Sequence, residues 1–385
     1  MDEETTNFTA ETHAQHFEQV FKDYYGIQVK DWAKASIADN CKVNLKVAKL
    51  LDIPHVGCCN HKLNLDMNDW IDSNTRMKDS IDHIADVMKK AKTKLKHAAM
   101  LRNMTHLKPV LYNKTRWSGK YYMFERWLQI RDTLIELSTS DGAELEVNDS
   151  VSFFNLTKKY TKCLKQFDNV TKKLQEKNLT LGTGRLLLDT LVKKANERKY
   201  ETGSAFHGNS FKAKRILIDG SLSDYQYFES GVVKIQQNRS MDMNDIEQDA
   251  CKDLLDNHNV NVDSETVNDN DDLGLDEEDD VMKAVKDIKE KMETSNQSGY
   301  VNCDFIMCSA AEVERLWSIA KHILTEERRG MLTPLMFESL IFLKMNLDYW
   351  GLEDVVKAET TRYSKDKSSD NVNEESTWDD EDDDM

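Results

Sequence analysis

The first helical pattern in the chain covers residues 9–25, where apolar residues recur every three to four positions. Thr9 is placed to cap this helix, and Glu11 puts negative charge in its first turn, where the helix dipole favours it. We therefore expect an amphipathic helix that packs on a core. Its apolar stripe is formed by Phe17, Val20, Phe21 and Tyr24.

Two short strands separated by a second helix follow in the pattern. Ala33–Ala38 is an extended run that ends at Asp39-Asn40, and Val56–Cys58 is a second apolar run. The order helix, strand, helix, strand predicts a parallel α/β unit, because parallel strands are joined by helical crossovers. The helix between the two strands covers residues 43–51, with Val43, Val47, Leu50 and Leu51 on one side.

Beyond Leu63 the strand signal disappears and amphipathic helical stripes dominate. The sequence AAEVERLWSIAKHIL predicts a late helix, and Thr333-Pro334 begins a last one, since threonine caps and proline fits the first turn. The predicted fold class is α/β with predominantly α content. The stripes expected to face inward are Met77, Ile81, Ile84, Met88, Ala91 and Leu95; Phe153, Leu156, Tyr160, Cys163, Phe167, Val170 and Leu174; Leu187, Leu188, Leu191, Val192 and Ala195; Val313, Leu316, Trp317, Ala320 and Leu324; and Met336, Leu340, Leu343 and Leu347.

Charge is distributed unevenly along the chain, whose formal net charge is −17. Acidic residues are concentrated near 242–280 and 370–384, which contain few apolar anchors and are expected to stay solvated. Residues 89–131 are basic instead. We expect a basic folded surface with an acidic linker and tail. These acidic segments either keep the protein in solution or compete with nucleic acid for the basic surface.

The N-terminal sequence lacks the basic region and apolar run of a signal peptide, and no stretch approaches the ~18 apolar residues of a transmembrane helix. We therefore expect an intracellular protein with no membrane partner. Its seven cysteines are odd in number and scattered, which predicts reduced thiols rather than a disulfide framework.

The motif VGCCNH contains two adjacent cysteines followed by a histidine. The Cys58-x-x-His61 spacing suits two zinc ligands, but a structural zinc needs four, and Cys303 and Cys308 have no histidine beside them. A redox pair at Cys58-Cys59 is disfavoured, because adjacent cysteines strain a disulfide ring. From the residues alone, we expect a structural role at a strand-to-helix turn.

Three further positions have both a functional and a structural interpretation. Asp39 at a strand end suits Mg²⁺ binding, although Asp-Asn is also a common turn or helix cap. Arg116-Trp117 suits phosphate contact with base stacking, whereas the tryptophan would equally pack helices. Glu314 lies at the edge of an apolar helical stripe, where a carboxylate needs a partner or a metal ion.

The order of these motifs resembles the hAT superfamily of cut-and-paste transposases and their domesticated relatives. The resemblance runs from about residue 9 to 350 and is patchy across the middle. It implies an RNase H-like fold interrupted by a large all-helical insertion. The matching blocks are Asp39-Asn40, Cys58-x-x-His61-x-Leu63-Asn64-Leu65, Thr115-Arg116-Trp117 and Ser309-Ala310-x-x-Val313-Glu314-Arg315-Leu316-Trp317-Ser318.

The resemblance also implies roles for individual residues. Asp39 matches the family's second metal-binding aspartate and Glu314 its catalytic glutamate; with a first aspartate, these hold two Mg²⁺ ions in an active enzyme. Cys58 and His61 match the Cys-x-x-His element beside the active site. Trp117 matches the tryptophan that stacks on DNA, a base-flipping type of contact. The family further implies a C-terminal dimerisation region and a nuclear location.

The chain departs from the family pattern before Asp39. The family's first aspartate lies on an upstream strand, and the 38 residues that precede Asp39 here supply neither that strand nor the zinc-finger domain. Trp317 replaces the usual phenylalanine, and Lys34 interrupts the apolar strand. Two carboxylates are poorly placed to hold two metal ions ~4 Å apart. We therefore expect no strand transfer and no bound cofactor, with Mg²⁺ or Mn²⁺ required only if the enzyme is active.

The function expected is that of a hAT transposase-derived protein that retains homodimerisation, with DNA contact through Arg116 and Trp117, and lacks transposase catalysis. The alternative is a Mg²⁺-dependent DNA endonuclease or transposase of the RNase H-like type. Dimer contacts are expected at Leu316, Trp317, Ile341, Leu343 and Leu347. The expected domains are a partial RNase H-like core (1–117), a helical insertion (118–240), a largely disordered acidic linker (241–300), the dimerisation region with the final core helices (301–357) and an acidic disordered tail (358–385).

Overall fold

A computed structural model gives the fold. It describes residues 9–140, 145–201, 211, 213–216, 225–256, 280–292, 299–324 and 332–370. These residues are predominantly helical and include a single sheet of two short parallel strands. The chain divides into two compact units, residues 1–311 and 312–385. No helix in the described part of the chain is long and apolar enough to cross a membrane.

The first unit begins with the predicted order of helices and strands and one additional helix. Helix α1 (Ala10–Tyr25) is capped by Thr9, whose hydroxyl accepts a hydrogen bond from the Thr12 N–H at 3.3 Å. A short helix that the sequence pattern did not predict then shortens the expected strand. These elements are α2 (Val29–Trp32), β1 (Ser36–Ala38), α3 (Lys42–Leu50) and β2 (His55–Gly57).

The two strands pair in parallel, as predicted, with Ser36 opposite His55 and Ala38 opposite Gly57. β2 is fully buried, whereas β1 is only partly buried. A side chain at Gly57 would place its Cβ 2.3 Å from Asn40 Oδ1, so glycine is needed there. The sequence therefore brings the carboxyl ends of both strands close to Asn40.

The predicted apolar faces of α1 and α3 are wrong in part. α1 buries the small residues Ala10 and Ala14 against a minor core, and the partly buried Phe21 packs on the same core, whereas the other aromatic residues of the helix are exposed. The helical spacing was correct, but it does not show which of two possible faces meets the core. The predicted inward residues that are exposed are Phe17, Tyr24, Val43 and Leu50.

Six longer helices form the main core of the first unit, centred on the fully buried Trp117, Trp127 and Tyr160. The predicted stripe on the second of these helices is confirmed from Met77 to Ala91, whereas Leu95 is 85% exposed. The helices are α4 (Cys59–Ser73), α5 (Thr75–Thr93), α6 (Leu95–Met104), α7 (Ser118–Ser138), α8 (Val151–Lys173) and α9 (Leu181–Glu201).

The part of the chain expected to be an acidic linker contains folded elements. Asn244 forms a complete capping box with Glu247 at the start of one helix, and Cys251 and Leu254 are buried. These few apolar anchors between acidic residues are sufficient to order this stretch, so the linker prediction is wrong there. Residues 257–279 and 293–298 lie outside the described residues. The helices are α10 (Gln226–Gln236), α11 (Asp245–Ala250) and α12 (Asp280–Met292).

The described part of the second unit contains three α-helices. The inward faces predicted for the first two are wrong in large part, because most of the apolar side chains in those faces are exposed in the single chain: Val313, Trp317, Met336, Leu340, Leu343 and Leu347. Thr333 caps the middle one and Pro334 occupies its first turn, as predicted. The tail expected from residue 358 is helical as far as Asp370, and residues 371–385 lie outside the described part of the chain. The helices are α13 (Ala311–Ile323), α14 (Pro334–Met345) and α15 (Leu352–Asp370).

Candidate functional site

Asp39 and His61 form a pair at the carboxyl end of the two-stranded sheet. Asp39 follows β1 directly, and its Oδ2 lies 3.3 Å from His61 Nδ1 on the first turn of α4. Both side chains are partly exposed, at 44% and 32%. At this distance the two side chains form an ion pair when the imidazole is protonated. The fold therefore brings Asp39 and His61, which lie 22 positions apart in the sequence, into contact.

A second histidine, His55, is buried beneath this end of the sheet and bonds to the Asn40 side chain next to Asp39. His55 is 1% exposed, and its Nε2 donates to Asn40 Oδ1 at 3.2 Å. The proton on Nε2 leaves Nδ1 to accept from Ser36 Oγ at 3.4 Å. Burial lowers the pKa of His55, and the nearby Lys62 lowers it further. The network keeps His55 neutral and holds Asn40 beside Asp39.

Cys58 is the N-cap of α4 and is 1% exposed. Burial raises the pKa of the Cys58 thiol, although the N–H groups of Ala310 and His61 interact with its sulfur and oppose this shift. Burial also raises the pKa of Cys59 to about 12. Buried thiols of raised pKa are poor nucleophiles, so the structural role expected for this motif agrees with its environment.

The amide of Asn64 joins two of the motifs that the sequence placed far apart. Its Nδ2 donates to the Thr115 carbonyl at 3.1 Å, and its Oδ1 accepts from the Trp117 N–H at 3.1 Å. Asn64 lies one turn beyond His61 on α4, so the two side chains share one side of that helix. This bonding brings the loop of Arg116 to the side of α4 that carries His61.

Arg116 and Trp117 have opposite environments. Arg116 is exposed, whereas Trp117 is 1% exposed and packs edge-on against Phe167 with ring centroids 6.4 Å apart. A tryptophan this deeply buried has no ring face to offer a nucleic-acid base, so the stacking role expected for Trp117 is not supported. The structural alternative, that Trp117 and Trp127 pack helices, describes both residues.

A backbone segment near the end of the first unit completes this end of the sheet. The Cys59 N–H donates to the Cys308 carbonyl at 2.8 Å, and Ser309 Oγ donates to the Leu174 carbonyl at 2.7 Å. The Ala310 N–H interacts with the Cys58 sulfur. The Ser309-Ala310 part of the last motif therefore lies against the Cys58 turn.

The remaining predicted site residues lie in the second unit. Glu314 is exposed on the first turn of α13, and Arg315 on the same helix forms an ion pair with Glu312. Among the expected dimer contacts, Trp317 is 68% exposed, Leu343 42% and Leu347 55%. Leu316 and Ile341 are partly buried.

The side chains around Asp39 do not form a complete metal site. A two-metal centre needs several carboxylates around ions ~4 Å apart, and this strand end supplies one carboxylate with one imidazole. No group of three or more His, Cys, Asp or Glu side chains suited to hold a metal ion occurs in the described part of the chain.

Sequence reasoning missed two residues that shape this site. The first is His55, which stands at the start of a strand with no motif around it. The second is Gly57, whose missing side chain leaves room for the Asn40 amide that bonds to His55. A histidine directly before a buried apolar run was the available signal for His55.

Comparison with known proteins gives no match: no family model and no curated protein matches this sequence.

Proposed function

We propose that the chain is a hAT transposase-derived protein whose retained activity is self-association into a homodimer through its C-terminal helices. In this proposal the first unit is a partial RNase H-like core with a helical insertion. Helix α14 gives the main support. In its sequence PLMFESLIFLKM apolar residues are spread around the helix and only Glu338, Ser339 and Lys344 are polar, yet none of its twelve residues is buried. A helix that is apolar all round is normally enclosed by other elements.

The exposed apolar side chains of the second unit are numerous enough to form an interface. If each exposes on the order of 100 Å², together they offer more than the ~800 Å² per partner of a stable protein interface. Aromatic residues and methionine are enriched at the centres of protein interfaces, and both occur among these side chains. The exposed residues are Val313, Trp317, Leu335, Met336, Leu340, Phe342, Leu343, Met345, Leu347, Tyr349, Leu352, Val355 and Val356.

Sedimentation equilibrium of the full chain tests this proposal. The double variant Phe342→Ser, Leu343→Ser is expected to weaken self-association by ~30-fold or more, as hot-spot truncations do. The weight-average mass should then fall across the concentration series. Met241→Ser is the matched control, because Met241 is 91% exposed on the first unit. Equal masses for the double variant and the wild type would contradict the proposal.

Nucleic-acid binding by the first unit is a second candidate function, favoured by the charge of one continuous stretch. Residues 87–124 contain lysine and arginine but no aspartate or glutamate. Lys92, Lys94, Lys96 and Arg116 are exposed on α5, α6 and the following loop. Such exposed cations suit phosphate contacts.

The dependence of DNA affinity on salt measures this binding. Affinity for duplex DNA should fall steeply with salt, and the slope of log K against log salt should shrink by about one for each phosphate contact removed. Lys92→Ala with Lys94→Ala and Lys96→Ala is the informative variant, and Lys357→Ala on α15 is the control. A flat salt response would remove this candidate.

A further inference from the structure

Helix α1 presents to solvent three of the four aromatic side chains in its residues 17–25, and the fourth, Phe21, is partly buried against the minor core. Ala10 and Ala14 are buried, whereas Phe17 is 45% exposed and Tyr24 and Tyr25 are 72% and 69% exposed. Burying an aromatic ring is worth several times more than burying an alanine, so this orientation does not maximise burial within the unit. The uncovered face therefore needs an explanation outside the unit's own core.

The exposed aromatic residues form one connected patch with α2. The Phe21 ring lies 5.8 Å from the Tyr25 ring and 5.8 Å from the Trp32 ring, measured between centroids. Trp32 is itself 67% exposed. Phe17 and Tyr24 flank Phe21 at helical spacing. We call these five residues, Phe17, Phe21, Tyr24, Tyr25 and Trp32, the aromatic patch.

We propose that the aromatic patch is an isologous contact surface at which two copies of this chain associate through their first units. Tyrosine and tryptophan are the residues most enriched at the energetic centres of protein interfaces. At about 150–250 Å² for each aromatic side chain, the patch exposes on the order of 500 Å². With its charged neighbours it approaches the ~800 Å² per partner that a specific dimer buries.

Charge favours a second copy as the occupant of this surface. The charged residues within two positions of the aromatic residues in the chain include three of each sign: Lys22, Lys30 and Lys34, and Glu18, Asp23 and Asp31; all are exposed except Glu18, which is partly buried. A surface that meets itself across a two-fold axis must be self-complementary. Equal numbers of both signs allow each lysine to face a carboxylate of the other copy, whereas a strongly acidic or basic partner would meet like charge.

This contact is independent of the self-association proposed for α14, and the two predict different masses. A chain with both surfaces assembles beyond a dimer as concentration rises. Removing either surface leaves a dimer held by the other. Removing both leaves a monomer. Sedimentation velocity of the full chain over a broad concentration range separates these species.

The test variant is Tyr25→Ser with Trp32→Ser, which changes only exposed side chains and should preserve the folded state. We expect assembly to stop at the dimer and the second association step to weaken by ~30-fold or more. The single variant Trp32→Phe, which keeps an aromatic ring at this position, should retain most of the second association step. Met241→Ser, a change at an exposed apolar position elsewhere, should behave as wild type. If α14 does not associate, the wild type is a dimer and this variant is a monomer.

Two results would overturn the proposal. One is a mass distribution for Tyr25→Ser, Trp32→Ser that matches the wild type at every concentration. The other is a wild type whose entire self-association is lost in Phe342→Ser, Leu343→Ser. Far-UV circular dichroism of each variant, compared with wild type, keeps misfolding from being counted as a loss of association.

Discussion

Replacing Asn64 by alanine should destabilise the first unit more than its partly exposed position suggests. The change removes the acceptor of the Trp117 N–H and the donor to the Thr115 carbonyl, both at 3.1 Å. A buried N–H left without an acceptor costs about 1–3 kcal/mol, and the second hydrogen bond contributes about 1 kcal/mol. Since Trp117 is 1% exposed, we expect a loss of about 2–3 kcal/mol in the free energy of unfolding.

Urea unfolding followed by far-UV circular dichroism measures this loss. Two further variants test whether the loss comes from the two hydrogen bonds of Asn64. Asn64→Asp keeps an acceptor for the Trp117 backbone N–H but sets a carboxylate oxygen against the Thr115 carbonyl oxygen, so it should recover at most part of the stability lost in Asn64→Ala. Asn103→Ala on α6 is the control, because Asn103 is exposed and makes no side-chain hydrogen bond among the described residues. A loss below ~0.5 kcal/mol for Asn64→Ala, the range of neutral surface changes, would refute the reasoning.

Further predictions concern the strand end. Gly57→Ala should destabilise by about 1–3 kcal/mol, because its Cβ would lie 2.3 Å from Asn40 Oδ1; an unchanged urea midpoint would contradict this. The buried His55 has a lowered pKa, so only the unfolded state gains its proton as pH falls below ~6.5. Stability should therefore fall between pH 7.5 and 5.5, and less so in His55→Gln. With supercoiled plasmid and Mn²⁺ we expect no nicking; nicking lost in both Asp39→Ala and Glu314→Ala would instead establish the endonuclease.

Local patterns in the sequence predicted the first elements well. Thr9 and Thr333 each cap a helix where the sequence placed one, and the two short runs around residues 36–57 pair in parallel as expected. These outcomes depend on chemistry that acts within a few residues: a side-chain oxygen near a free N–H, and a helix that joins two parallel strands. The short helix α2 escaped prediction because four residues carry too little periodicity.

The order of the motifs along the chain suggests that they lie close together, but it does not determine their contacts. Nothing in local sequence shows that Asn64 binds the backbone on both sides of Arg116, because the two are separated by two complete helices. Whether a tryptophan packs or stacks is equally a tertiary question, since both roles use the same residue type. Trp117 is buried in the single chain, as the packing alternative expects, and its contact with DNA stays a prediction.

Helical spacing identifies an apolar face but does not say what covers it. On α5 the face meets the core of its own chain, so the prediction from Met77 to Ala91 was correct. On α1 and α14 the same kind of pattern belongs to side chains that remain exposed in the single chain. Because burying apolar surface lowers free energy whether the cover comes from the same chain or another, interface helices and core helices share one sequence signature. The exposed aromatic and aliphatic residues of α1 and α14 are therefore the side chains that the two proposed contacts would cover.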